Sequence, residues 1–204
     1  MSTERLNAFS DGVIAILITI MVLELRVPHT TDLAALRALL PVFLAYVLSF
    51  IVLGIYWNNH HHMLYLTDRI TGGIQWANLH LLFWLSLMPF VTGWMGENHF
   101  APIPTALYGV VLMMAGIAYY ILGQVIIRSQ RPNSRLEAAV GNDFKGKISV
   151  VLYLAAIPLA FVHQLLSDAI YVSVALMWLI PDRRIEERFA DAQERKNRDE
   201  RKIG

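Results

Sequence analysis

The chain has 204 residues, of which 56% are hydrophobic and only 16% charged, with a formal net charge of +1. Soluble domains carry about 25% charged residues, so this composition cannot cover a water-exposed surface, and its near-neutral balance argues against a nucleic-acid partner. Cysteine is absent, which excludes a disulfide framework, a thiolate metal site and a cysteine nucleophile.

Crossing a bilayer's hydrocarbon core takes roughly 20 apolar helical residues. In chain order the apolar stretches are Ala8–Leu25, Leu36–Trp57, Ile74–Trp94, Thr105–Ile127, Ile148–Leu166 and Ala169–Ile180. The last is short, and Ser167–Asp168 reads as a tight connection that makes segments five and six a helical hairpin, extended by Arg183 and Arg184 reaching the interface. Breakers separate the other stretches: Pro28 with Thr30–Thr31, Thr71–Gly72–Gly73, Gly96 through Pro104, and Arg131–Pro132–Asn133. Pro41, Pro89 and Pro158 lie inside apolar runs, as membrane helices tolerate. The fold class is therefore all-α, a polytopic membrane protein with six transmembrane helices over residues 1–181 and a charged cytoplasmic tail over 182–204.

Lys and Arg set the orientation. With a cytoplasmic N-terminus and six crossings, the inside holds Arg5, Arg69, the five of the 128–147 connection and the eight after Ile180, fifteen of the seventeen. Only Arg26 and Arg37 lie outside. Both termini are expected in the cytoplasm, and the missing small-x-small cleavage site argues against removal of segment one as a signal peptide. The tail, with spacings such as Glu187–Asp191 and Glu194–Arg198, reads as a solvated helix continuing segment six.

Ionisable groups in an apolar segment carry the functional hypotheses. Asp11 sits about one turn into the first run and must protonate or find a partner. Arg5, Ser10, Asn58, Asn59 and His60 are available, so Asp11 either joins a structural knot tying the first helix to its neighbours or serves as a cation ligand or proton carrier. Beyond it, helical spacing places Gly12, Ile16, Thr19, Ile20 and Leu23 along one face. Such a stripe suits lipid, a core or a pore, and Thr19 is expected to satisfy itself on a carbonyl one turn back. His60-His61-His62 is a poor chelate, because adjacent helical residues point apart. One of the three, His60 above all, and also Trp57, can reach the polar end of the first helix. Gly109, Gly116 and Gly123, every seventh residue of segment four, are small-residue contact points either within one chain or between chains. A phosphate loop, a nucleophile elbow and the Thr-Val-Gly-Tyr-Gly carbonyl filter are all absent. No arrangement of residues assembles an enzyme, a metal site or a cofactor site.

Arg5-x-x-x-Phe9-Ser10-Asp11-Gly12 at the start of the first segment resembles the signature of the endosomal/lysosomal potassium channel family (transmembrane protein 175) in its prokaryotic branch. Leu23-Glu24-Leu25, Trp57-x-x-His60 and Asn78 through Pro89-Phe90 are similar to that family as well, so the likeness spans the six-helix unit. It implies a potassium-preferring cation channel in the plasma membrane of a prokaryote. A single-repeat chain would form a homotetramer with four copies of the first helix around the axis. Ile16, Ile20 and Leu23 would be the apolar pore layers, with Ile16 the constriction, and Thr19 the layer favouring potassium. Arg5, Phe9, Ser10, Asp11, Gly12, Trp57 and His60 would serve packing and gating. Potassium would be the permeant ion, with no cofactor. Two other functions share the segments: a proton-coupled secondary transporter using Asp11, and a membrane scaffold that transports nothing.

Overall fold

The computed structural model describes residues 2–131, 134, 136–137 and 144–179. Within them the chain is all-helical. Helix α1 (Thr3–Met21) starts where the Ser2 hydroxyl accepts the Arg5 amide at 3.3 Å, and it tightens into a 3₁₀ turn at Val22–Glu24. A short helix α2 (Leu33–Ala38), capped by the Asp32 carboxylate on the Ala35 amide at 2.7 Å, leads through Leu39 into α3 (Leu40–Tyr65), with Pro41 in its first turn.

Helix α4 (Gly72–Ser86) is capped by Thr71 and followed, across a break at Leu87, by α5 (Met88–Glu97). The break has a covalent cause: Pro89 has no N–H for the carbonyl of Leu85 four residues back. His99 and Phe100 close α5 in the left-handed region, with φ of 50° and 59°, and the Phe100 amide returns to the Met95 carbonyl at 2.9 Å. Helix α6 (Pro102–Ser129) opens on Pro102 and Pro104, and α7 (Phe144–Leu159) and α8 (Gln164–Leu179) follow among the described residues.

Among the described residues, four stretches are long and apolar enough to cross a membrane: Thr3–Glu24, Leu40–Tyr65, Gly72–Glu97 and Pro102–Ser129, the third being α4 and α5 together. Gln164–Leu179 is a shorter apolar helix. The junction of the last two segments differs from the sequence expectation. The chain turns at residues 160–163, and Ser167–Asp168 lies inside α8. Pro158 weakens the end of α7, while the Ser167 hydroxyl satisfies itself on the Ala156 carbonyl across the hairpin at 2.7 Å, so two polar residues mimic a turn without making one. The expected tail, residues 182–204, lies outside the described residues.

Helix α6 is the spine, packed by α4, α5, α7 and α8, and it buries Tyr108, Leu112, Ala115, Ala118, Leu122 and Ile126 at helical spacing. Helix α1 leans on α3, α4 and α5. Small residues let backbones close in. A Cβ on Gly96 would stand 2.7 Å from the Val42 Cα, and one on Gly109 would overlap the Tyr171 hydroxyl, which donates to the Thr105 carbonyl at 3.1 Å. Gly116 faces Tyr56 and Val150, and Gly123 faces Met63, so all three glycines of the seven-residue stripe meet neighbours within one chain. In the same interior, Ser49 joins Thr92 at 2.7 Å and Tyr108 at 3.0 Å, tying α3, α5 and α6.

Candidate functional site

The site is built on α1, whose two faces have different surroundings. The packed face carries Leu6, Ser10, Ile14, Leu17 and Met21, all buried. Ser10, His60 and Asn78 are fully buried, from α1, α3 and α4. The Ser10 hydroxyl donates to the Leu6 carbonyl one turn back at 2.9 Å, so it accepts from the Asn78 amide nitrogen at 2.9 Å. The Asn78 carbonyl oxygen therefore faces His60, whose Nε2 must be the donor in the 2.7 Å bond between them. One proton direction runs through the chain of bonds and selects one tautomer of His60. Its Nδ1 is buried with no hydrogen-bond partner among the described residues.

One residue further along α1, a second set of bonds holds Asp11. One carboxylate oxygen accepts from the Trp57 indole N–H at 3.0 Å and the other from the Asn7 amide at 3.1 Å. That amide nitrogen also lies 3.1 Å from His61 Nδ1. Both Asp11 oxygens thus have partners on α1 or α3, as polar atoms at the margin of an apolar run require. Arg5 is exposed, and among the described residues its guanidinium makes no hydrogen bond or ion pair, so the knot does not include it. Phe9 is exposed, and Gly12 faces open space.

The other face of α1 is bare. Ile16 is 59% exposed, Ile20 39% and Leu23 74%. Thr19 is exposed between them and donates its hydroxyl to the Ile16 carbonyl at 2.9 Å. One helical face therefore presents, over about 10 Å of rise, three branched aliphatic side chains and one hydroxyl. At its far end Glu24 turns toward α5, where a Cβ on Gly93 would stand 3.0 Å from its carboxylate.

Sequence reasoning singled out Ser10, Asp11, Trp57 and His60 but missed the group that joins two of them. His60 reaches α1 only through Asn78, and it is His61, by way of Asn7, that touches α1 directly. The available signal was an amide inside an apolar run, a residue type that membrane helices use for hydrogen bonds across helix interfaces.

Comparison with known proteins is consistent with these features. Residues 5–89, which contain α1, α3 and the Asn78 turn of α4, match the family model of the endosomal/lysosomal potassium channel TMEM175. A protein of Chryseobacterium sp. (strain P1-3) named a potassium channel is 54% identical over 91% of this chain and 97% of its own length. Another named a potassium channel, from Streptomyces collinus, is 30% identical over 85% of this chain and 90% of its own. The crystal structure of a lysosomal potassium-selective channel TMEM175 homolog from Chamaesiphon minutus superposes with a TM-score of 0.77 at 27% identity, covering 87% of this chain and 96% of that one.

Proposed function

The chain belongs to the family of the endosomal/lysosomal potassium channel TMEM175, and on that premise we propose that it is a potassium-preferring cation channel of a prokaryotic plasma membrane, formed by four copies around an axis lined by α1. The observation that carries this reading is the division of α1 into a face locked by hydrogen bonds to α3 and α4 and a face, Ile16 to Leu23, whose apolar side chains are exposed. Segments five and six supply the last two of six crossings, with both termini on the cytoplasmic side, in keeping with the distribution of Lys and Arg.

A ring of four Ile16 side chains offers no oxygen to a dehydrated cation. Ions pass it hydrated or after partial loss of water, and the ring conducts or blocks according to whether it is wet. Potassium releases water more readily than sodium, so a narrow apolar ring favours it modestly, and the Thr19 hydroxyls one turn further on supply oxygens to the ion. Gly12 clears the approach to the ring. Asp11, with both oxygens engaged, serves the knot rather than an ion relay, which weighs against a proton-coupled transporter.

The test is a planar bilayer holding purified protein, with potassium on one side and sodium on the other. A cation current reversing toward the potassium potential is expected. Silence of both the native protein and Ile16→Asn overturns the proposal. Saturable, pH-driven exchange without conductance would instead identify a transporter, and no flux of any kind a scaffold.

A further inference from the structure

Halfway along α6, away from the knot and the bare face of α1, a groove runs between α3, α6, α7 and α8. Measured to its open mouth it holds about 560 Å³, within the range of small-molecule sites. Its walls are mainly aromatic: Tyr56, Tyr119, Tyr120, Tyr153 and Trp178, with Ile55 beside them. Several polar groups on these walls are already used. The Trp178 indole donates to the Ser149 hydroxyl at 2.9 Å, and that hydroxyl donates to the Lys145 carbonyl at 2.7 Å. The Tyr119 hydroxyl donates to the Asn59 carbonyl at 3.3 Å, and the Asn59 amide to the Ile55 carbonyl at 2.8 Å.

Three phenols remain. Among the described residues, the hydroxyls of Tyr56, Tyr120 and Tyr153 make no hydrogen bond. Tyr120 is 43% exposed, but Tyr153 only 6%. The Tyr56 and Tyr153 oxygens nonetheless keep open surface in the groove, unlike the sealed hydroxyl of Thr105. Packing holds both rings: Tyr56 lies edge-on to Tyr119 with centroids 6.0 Å apart, and Tyr153 lies 6.1 Å from Tyr171. Gly116 leaves the wall beside Tyr56 without a side chain, since a Cβ there would stand 3.8 Å from the Tyr56 hydroxyl.

Depth and charge narrow the occupant. Gly116 is at the middle of the 28-residue α6, so these donors lie at membrane depth, where a phenol without a partner is costly. None of the residues lining the groove carries a charge. Lys145, whose ammonium lies 6.0 Å from the centre of the Trp178 ring, is outside the lining and has partners of its own. A cation would meet that ammonium, and an anion would be buried without a free counter-charge. A hydrocarbon chain would cover the unused donors. A flat, uncharged ring with carbonyl acceptors suits both the donors and the aromatic walls.

We propose that this groove binds a flat, uncharged, membrane-soluble molecule of the quinone class, its carbonyl oxygens accepting from the Tyr56 and Tyr153 hydroxyls and its ring lying beside Gly116. The site rests on α6 crossing the membrane and not on conduction, since α1 leans on α3, α4 and α5.

Menadione and methylnaphthalene, the same ring without carbonyls, are the probes, and the chain has no cysteine for a quinone to alkylate. Equilibrium binding to the full chain in nanodiscs is measured, with protein-free nanodiscs subtracted. Menadione should bind saturably and at least about fivefold more tightly than methylnaphthalene. Tyr56→Phe and Tyr153→Phe should each weaken menadione about fivefold, the worth of one hydrogen bond, and leave the hydrocarbon unchanged. Gly116→Leu should exclude both probes: a Cβ there clears Tyr56 and Val150 at 3.8 Å, but a longer side chain fills the slot. Absence of saturable menadione binding, equal affinity for the two probes, or a menadione affinity that either tyrosine substitution leaves unchanged overturns the proposal. Bilayer currents recorded from the same preparations separate the two ideas. Current without menadione binding removes only this site, and binding without current in either the native protein or Ile16→Asn removes only the channel.

Discussion

The two faces of α1 are made of nearly the same material and have opposite surroundings. Ile14 and Leu17 are buried against α3, α4 and α5, while Ile16 and Ile20, on the same turns, face outward. Hydrophobicity cannot choose between them, because lipid is as apolar as isoleucine and gives no driving force for burial. Ser10 and Asp11 make the choice. Their bonds to Asn78 and Trp57 fix the rotation of the helix about its own axis, and the aliphatic residues above follow in register. The lesson is that a few polar groups at one end of a membrane helix decide which of its apolar residues are packed and which are presented.

Substitutions can sharpen or break that contrast. Asn78→Leu has the largest expected effect: it strips His60 and Ser10 of a buried partner, and at about 1 kcal/mol for each bond between membrane helices the cost is about 2 kcal/mol. Thermal or denaturant unfolding in detergent measures it, and unchanged stability would mean that the knot does not hold α1. Ile16→Asn is next, expected to raise single-channel conductance about tenfold, equivalent to about 1.4 kcal/mol of barrier, while moving the bi-ionic reversal potential toward zero. Because Ile16 is on the bare face, its unfolding should stay within about 0.5 kcal/mol of the native protein. A large loss of stability would show that Ile16 is packed in the assembled protein and would end the contrast. The smallest effect belongs to Thr19→Val, which removes a hydroxyl bonded only to its own helix and should lower the potassium-to-sodium permeability ratio about twofold, about 0.4 kcal/mol, with no change in unfolding.

How much of this could be read beforehand depends on the kind of signal. Run lengths and breakers located the long apolar stretches, since Pro and Gly act through the backbone wherever they stand, but the separate helix α2 and the break at Leu87 inside the expected third segment were not foreseen. The stripe from Gly12 to Leu23 was visible as a spacing, yet its exposure was not, because the opposite stripe is equally apolar. The Ser167–Asp168 pair misled for a related reason: a hydroxyl that bonds a carbonyl on the adjacent helix looks, in sequence, like a hydroxyl in a loop. His60 was singled out for a bond to α1, but the connection passes through Asn78, and which of three consecutive histidines points where depends on the register of α3 against its neighbours. Contacts between segments far apart in sequence, such as Ser49 with Thr92 and Tyr108, left no pattern to find.

The break at Leu87 has a mechanical consequence. Helix α1 is gripped near its start by Asn78 on α4 and near its end by α5, where Glu24 lies against Gly93. Those two grips belong to one membrane-crossing stretch, Gly72–Glu97, that is jointed between them because Pro89 cannot hydrogen-bond to Leu85. A straight helix would hold both ends of α1 as a rigid splint. A jointed one sets the α5 grip at an angle to the α4 grip, so the tilt of α1 follows the angle of an elbow and not the position of a rod.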